Sequence, residues 1–145
     1  MTFEESWTEA EKTVYEHLLA ATDSRDKENA YLGVLPHMVN VWRLDTGGSG
    51  GNEQTTWSPD VVSIHMPADI VGQFTDRDAA QAFAMQVIKA LPLTGEDNVQ
   101  NFRIANGGMP TIEPDAIDAG GESKKFLVYV VTIRFDFVFS TGGRL

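Results

Sequence analysis

The chain has 145 residues, 42% of them apolar and 22% charged, with no cysteine and a formal net charge of −10. That length supports one domain with a real core, and the lack of cysteine excludes a disulfide framework and thiolate chemistry and fits a cytosolic origin. The acid excess argues against binding a phosphate backbone, no apolar run approaches the ~20 residues that cross a bilayer, and the acidic start MTFEESWTEAEK does not read as a secretory signal.

Phe3–Thr22 carries apolar residues at spacings of three and four (Phe3, Trp7, Ala10, Val14, Leu18, Ala21), which predicts an amphipathic helix stopped by the polar stretch 23–29. A strand follows within 30–44, alternating Val39, Val41 and Arg43 with Met38, Asn40, Trp42 and Leu44, and Pro36 interrupts its approach. Residues 45–59, DTGGSGGNEQTTWSP, read as a long glycine-rich hairpin loop. No Gly-Lys-Ser/Thr follows, so it is not a phosphate loop, and Trp57 at its end suits ordering on a partner.

Residues 60–66 form the next predicted strand, bounded by Pro59 and Pro67. Thr75, at capping-box spacing from Asp78, opens a helix over 75–91 with the stripe Ala80, Phe83, Ala84, Val87, Ile88 and Leu91. A third strand covers 98–105, where Val99 and Phe102 are out of phase and require a bulge or a late start. Residues 106–125 read as a second long loop. The last strand, Phe126–Phe139, is the strongest signal: Leu127, Tyr129, Val131, Ile133, Phe135, Phe137 and Phe139 share one face. Straight, it would run roughly 46 Å, far beyond the radius of gyration of about 15 Å for such a chain. It must therefore bend, twist or project. No internal repeat is visible.

The expected architecture is a single α+β domain over 1–145, ordered α-β-β-α-β-β. It has a mainly antiparallel sheet of about four strands, both helices on one face, and long loops at 45–59 and 106–125. No catalytic, cofactor or metal constellation emerges. His17, His37 and His65 lack metal-ligand spacing, and Asp76 and Asp78 are explained by capping a helix. Glu113, Asp115, Asp118 and Glu122 do not match an EF-hand. Arg134 and Asp136, two apart on one face of the last strand among apolar neighbours, read either as a solvent-facing patch or as a polar inter-subunit contact, and Trp42 and Trp57 join them as candidate interface residues.

This order of elements, with helix 3–22, hairpin 38–66, helix 75–91 and the closing FLVYVVTIRFDFVF, resembles the tail terminator (tail completion) proteins of long-tailed bacteriophages. The resemblance covers nearly the whole chain as an order of elements, without a diagnostic motif. It implies a non-enzymatic structural protein of phage or prophage origin that assembles in the bacterial cytoplasm and ends in the virion tail. Such a protein forms a ring with itself, typically a hexamer, caps the tail tube and meets the head–tail connector. The alternatives are another neck, connector or tail tube component, or a small α+β ligand-binding domain or enzyme using a cleft between helices and sheet. The first two share the logic of a ring; the third needs a polar pocket, and the inward positions are nearly all apolar.

Overall fold

A computed structural model describes residues 3–47, 53–57, 62–91, 93, 98–105, 109–118 and 125–141. Helix α1 spans Phe3–Ala21 and α2 spans Arg77–Ala90; the strands are β1 (Ala30–Leu32), β2 (Val41–Thr46), β3 (Glu53–Trp57), β4 (Val62–Phe74), β5 (Val99–Ile104), β6 (Thr111–Asp118) and β7 (Lys125–Thr141). The fold is α+β with two helices, but the expected four-stranded antiparallel sheet is replaced by seven strands in one strongly curled, mixed sheet, an open half-barrel. The path runs β1-β2-β4-β7-β5, with β3 also on β4 and β6 also on β7; β1 pairs β2 in parallel and every other pairing is antiparallel.

The extra strands come from segments read as loops. β2 and β3 lie end to end along β4: Thr46 faces Ala68 and Glu53 faces His65, so seven steps on one arm match three on the other. Of the predicted loop 45–59, therefore, Asp45–Thr46 and Glu53–Trp57 are ladder, and Gly48–Gly51 lie outside the described residues. β5 and β6 repeat this along β7, with Ile104 facing Phe135 and Thr111 facing Thr132, again seven steps against three. The predicted loop 106–125 thus contains the eight-residue strand β6. A register shift between Gln100 and Arg103 resolves the phase conflict in β5 as a bulge.

β4 also runs well past its predicted end, straight through Pro67. Pro67 has no N–H to donate. Its carbonyl accepts from Gly47 N at 2.8 Å, so the missing N–H lies on that same edge, where the β2–β3 arm is interrupted and no ladder bond is lost. Pro114 sits on the outer strand β6, the other place a sheet tolerates proline.

The two halves now read as one topology used twice, a helix followed by a long hairpin whose first arm is interrupted. The thirteen residues of β4 pair with β7, Ala68 opposite Phe135 at the centre, and both interruptions flank that central pair. The sequences of the halves share apolar alternation and little else, so the repetition lies in register.

α1 and α2 contact each other and both lie across β7. α1 buries Ala10, Val14, Tyr15 and Leu18, whereas the predicted stripe member Ala21 is exposed at its end. It stops in a Schellman turn: Asp23 takes φ 52°, Asp23 N donates to Ala20 O, and Ser24 N donates to Leu19 O at 2.9 Å. The N-cap of α2 is Asp76 rather than Thr75; its carboxylate accepts from Asp78 N at 3.0 Å. The core gathers Leu44, Met66, Ile70, Phe83, Val87, Ile133, Phe135, Phe137 and Phe139. Each fully buried large side chain contributes about 1.5–3 kcal/mol before entropy is set against it. Tyr15, Trp42, Phe83 and Phe74 make a chain of tilted rings at centroid spacings of 5.8, 5.7 and 5.0 Å. Phe102 stacks with Phe135 and Phe137 farther along the sheet.

Candidate interaction surfaces

The helix face of the sheet is apolar and filled, so polar chemistry collects on the far face. There Arg43 on β2 donates to both oxygens of Asp69 on β4, at 2.9 and 3.5 Å. His65 Nε2 meets Asp136 Oδ1 at 2.9 Å, joining β4 to β7. Arg134 stands directly opposite Asp69 in the β4–β7 ladder and is exposed, and Arg103 stands opposite Asp136 in the β5–β7 ladder. The result is a lattice of alternating charges across four strands. It is close to neutral in a chain whose formal charge is −10. Arg134 and Asp136 are therefore placed on one face as expected, and the lattice adds Arg43, His65, Asp69 and Arg103. These were not legible because the diagonal pairs exist only once the β2–β4–β7 register is set.

The same face carries Val41, Val128 and Val138, all buried although they lie outside the helix-side core. Gln73 anchors the chain that crosses this end of the sheet, its amide donating to the carbonyls of Pro36 and Met38. Cross-strand pairs of this partly exposed kind add at most about 1 kcal/mol each, so the lattice sets specificity more than stability.

The two tryptophans expected at a surface part ways. Trp42 is only 2% exposed; its ring lies between Tyr15 and Phe83 and its indole N–H donates to Ser24 Oγ at 2.9 Å. It is a core residue of the folded chain, facing the helices rather than a surface. Trp57 closes β3 opposite Val62, and its side chain lies outside the described residues.

Of the histidines, His17 bonds the carbonyl of Ala90 at 2.8 Å and so ties α1 to the end of α2. His65 has a carboxylate partner, but both sit on the sheet face with side chains 28% and 36% exposed. Among the described residues no group of three or more His, Cys, Asp or Glu side chains is placed to hold a metal. Among the same residues no helix is long and apolar enough to cross a membrane.

A groove of about 440 Å³ opens between α1 and the turn leading into β1, lined by Lys12, Tyr15, Glu16, Leu19, Lys27 and Leu32 among others. At its base the Tyr15 hydroxyl donates to Asp26 Oδ1 at 2.6 Å. Burial first, and the hydrogen bond and charge of Asp26 next, push the Tyr15 phenol well above its ordinary range. A raised pKa in the folded state means that folding favours the neutral phenol. Its contribution is complete below the unfolded value of about 10 and is lost as pH rises through the higher folded value. Alkaline titration followed by tyrosinate absorbance should therefore show one of the three tyrosines ionising late. Unfolding midpoints should fall with rising pH above about 10, and Tyr15→Phe should flatten that fall. Three tyrosines titrating together would contradict this burial.

The β6–β7 hairpin extends beyond the end of β4. β4 stops at Phe74, opposite Tyr129, so the residues of β7 before Tyr129 pair with β6 alone. The apolar row of the helix face continues out along this arm past the helices as Pro114, Ala116 and Leu127, and Leu127 is 62% exposed. Glu113 and Asp115 lie on the opposite face of the arm, across from Val130 and Val128. The long last strand thus both curls and projects. Comparison with family models finds no match to this chain, and comparison with the curated proteins finds none either.

Proposed function

We propose that the chain is a ring-forming structural protein of the phage tail-terminator kind, one that caps a tail tube, ends its growth and meets the connector above it. The observation that carries this reading is the projecting β6–β7 arm. A strand that leaves its own sheet with an apolar row uncovered is a surface made for another protein. The far-face charge lattice supports it, since charged ladders of alternating sign set register and reject wrong partners more than they add affinity. The acid excess supports it too, because a negatively charged ring passes DNA without holding it. A head-to-tail contact closes into a ring or opens into a filament, and termination requires closure.

The test is light scattering coupled to gel filtration over a wide concentration range, with negative-stain images of the large species. The expected result is one discrete closed particle with a fixed subunit number. Particles that lengthen with concentration would move the reading to a tube protein, and a monomer at every concentration would overturn the ring.

A further inference from the structure

Among the described residues the sheet has four outer strands, β1 and β3 on one side and β5 and β6 on the other. An outer strand leaves a row of backbone N–H and C=O groups on which another chain can pair. Three of the four are interrupted in plain view. β1 is three residues long, and the turn before it takes both outward groups of Ala30: Lys27 N donates to the Ala30 carbonyl at 2.8 Å, and Ala30 N donates to Arg25 O at 3.3 Å. β3 shifts register between Gln54 and Thr56, and β5 between Gln100 and Arg103. β6 is the longest of the four and pairs over its eight residues without a shift, on the arm that extends beyond β4.

The direction of the β6 backbone shows how its edge is closed. Ala105 N donates to Arg134 O at 2.8 Å, so the backbone groups of Arg134 point to the β5–β6 side of β7. Those groups alternate along a strand, so Thr132, Val130 and Val128 point the same way, and Val131, Tyr129 and Leu127 point to the β4 side. A second contact agrees. Gln73 O accepts Asn40 N on the β2 side of β4, so Phe74 points the other way, toward its partner Tyr129. Ile112, Pro114 and Ala116 stand opposite Val131, Tyr129 and Leu127, and therefore turn their own backbone groups out of the sheet. At the middle of that edge Pro114 has no N–H to give. Two residues on, the Ala116 N–H is already donated to Asp115 Oδ1 at 2.8 Å. The centre of the edge offers carbonyls and no free donor, whereas an added antiparallel strand needs both in alternation.

We propose that Pro114 and Asp115 guard the outer edge of the arm against pairing with the same edge of a second copy of this chain. The arm then meets other proteins through its side-chain faces, with Leu127 on one and Glu113 on the other, and shares no ladder with them. The guard is independent of the ring reading, because it concerns the backbone edge and not the faces through which a ring would close.

The test restores the donors. Pro114→Thr with Asp115→Ala returns one N–H and frees another; both positions are exposed, so circular dichroism and thermal midpoints should match the unsubstituted chain. Two freed edges can pair arm to arm, so the particle mass by light scattering should at least double over that of the unsubstituted chain at the same concentration. Amide exchange at Ile112 and Ala116 should slow as the mass rises. Glu113→Gln, which removes one charge next to the guard and leaves both devices in place, should change neither reading. Unchanged mass and exchange in the double variant would overturn the guard. An equal rise in Glu113→Gln would overturn it too, by assigning the protection to charge. Asp115→Ala alone, which keeps Pro114, reads the cap without association: at low concentration the Ala116 amide should exchange faster than in the unsubstituted chain, and an unchanged rate would show that the carboxylate does not hold it. An unsubstituted chain that is monomeric would end the ring reading and leave every one of these comparisons readable.

Discussion

Replacing Trp42 with alanine should lower folding stability by about 3–5 kcal/mol, the range for truncating a buried aromatic. That is a large share of the roughly 5–15 kcal/mol that holds a domain of this kind together. Two losses combine at this position. The indole is almost fully buried between Tyr15 of α1 and Phe83 of α2, so its removal leaves a void where both helices meet the sheet. Its N–H donates to Ser24 beyond the end of α1, so the turn after the helix loses an anchor. Its backbone N–H, which bonds the carbonyl of Asn29, stays in place, so the damage is confined to packing and to the one side-chain bond. Trp42→Phe keeps most of the ring volume and should cost less than half as much. Urea unfolding at several protein concentrations measures both changes and separates them from assembly, since a subunit contact makes the midpoint depend on concentration and a core residue does not. An unchanged midpoint in Trp42→Ala, with assembly lost, would return the indole to a subunit interface.

Gly47→Ala carries the second large effect. Gly47 follows β2 with φ 76°, a left-handed conformation that costs an L side chain about 1–2 kcal/mol. A Cβ there would also lie 2.7 Å from Cζ2 of Trp7, inside any real contact distance. Trp7 cannot retreat freely, because its Nε1 donates to Thr46 Oγ1 at 2.9 Å and the Thr46 hydroxyl in turn donates to Glu11 on the same helix. The expected total is about 2–4 kcal/mol, strain and displaced packing together. The same mutation in a Trp7→Ala background should cost only the backbone part, so a double-mutant cycle reads the clash directly. Additive losses in the two backgrounds would show that the indole does not rest on Gly47. The glycine-rich segment is thus fastened to α1 at its first residue, and the composition that reads as a loop begins in a tight contact.

Both helices, both apolar stripes and the face of the last strand were legible because each is a local periodicity. Side chains that repeat every 3.6 or every two residues declare their own element whatever lies beside it. The bulge in β5 was legible for the same reason, since Val99 and Phe102 cannot share a face without one. The loops were misread for an equally physical reason. Glu53–Trp57 is polar, and Thr111–Asp118 carries three acidic residues and a proline. Neither segment alternates apolar and polar residues, because each lies along an outer edge of the sheet, and β6 is exposed on both faces over most of its length. Such strands are held by ladder hydrogen bonds to a long neighbour, not by burying a stripe of their own.

Pro67 misled in the opposite direction. In isolation a proline ends a strand, but here it sits where the adjoining arm is interrupted and no donor is needed. The placement of Trp42 followed the same pattern. Its alternation with Leu44 was correct, and which face those residues presented depended on where the helices lay.

By itself, then, the sequence determined the two helices, the apolar face of the last strand and the absence of cysteine chemistry, since these follow from neighbours along the chain. The tertiary structure alone decided that the sheet has seven strands, that β4 runs through its proline, that His65 meets Asp136, and that the last hairpin leaves the sheet with Leu127 uncovered. Those facts depend on register between segments tens of residues apart, and register is set by pairing across the sheet, which no local pattern encodes.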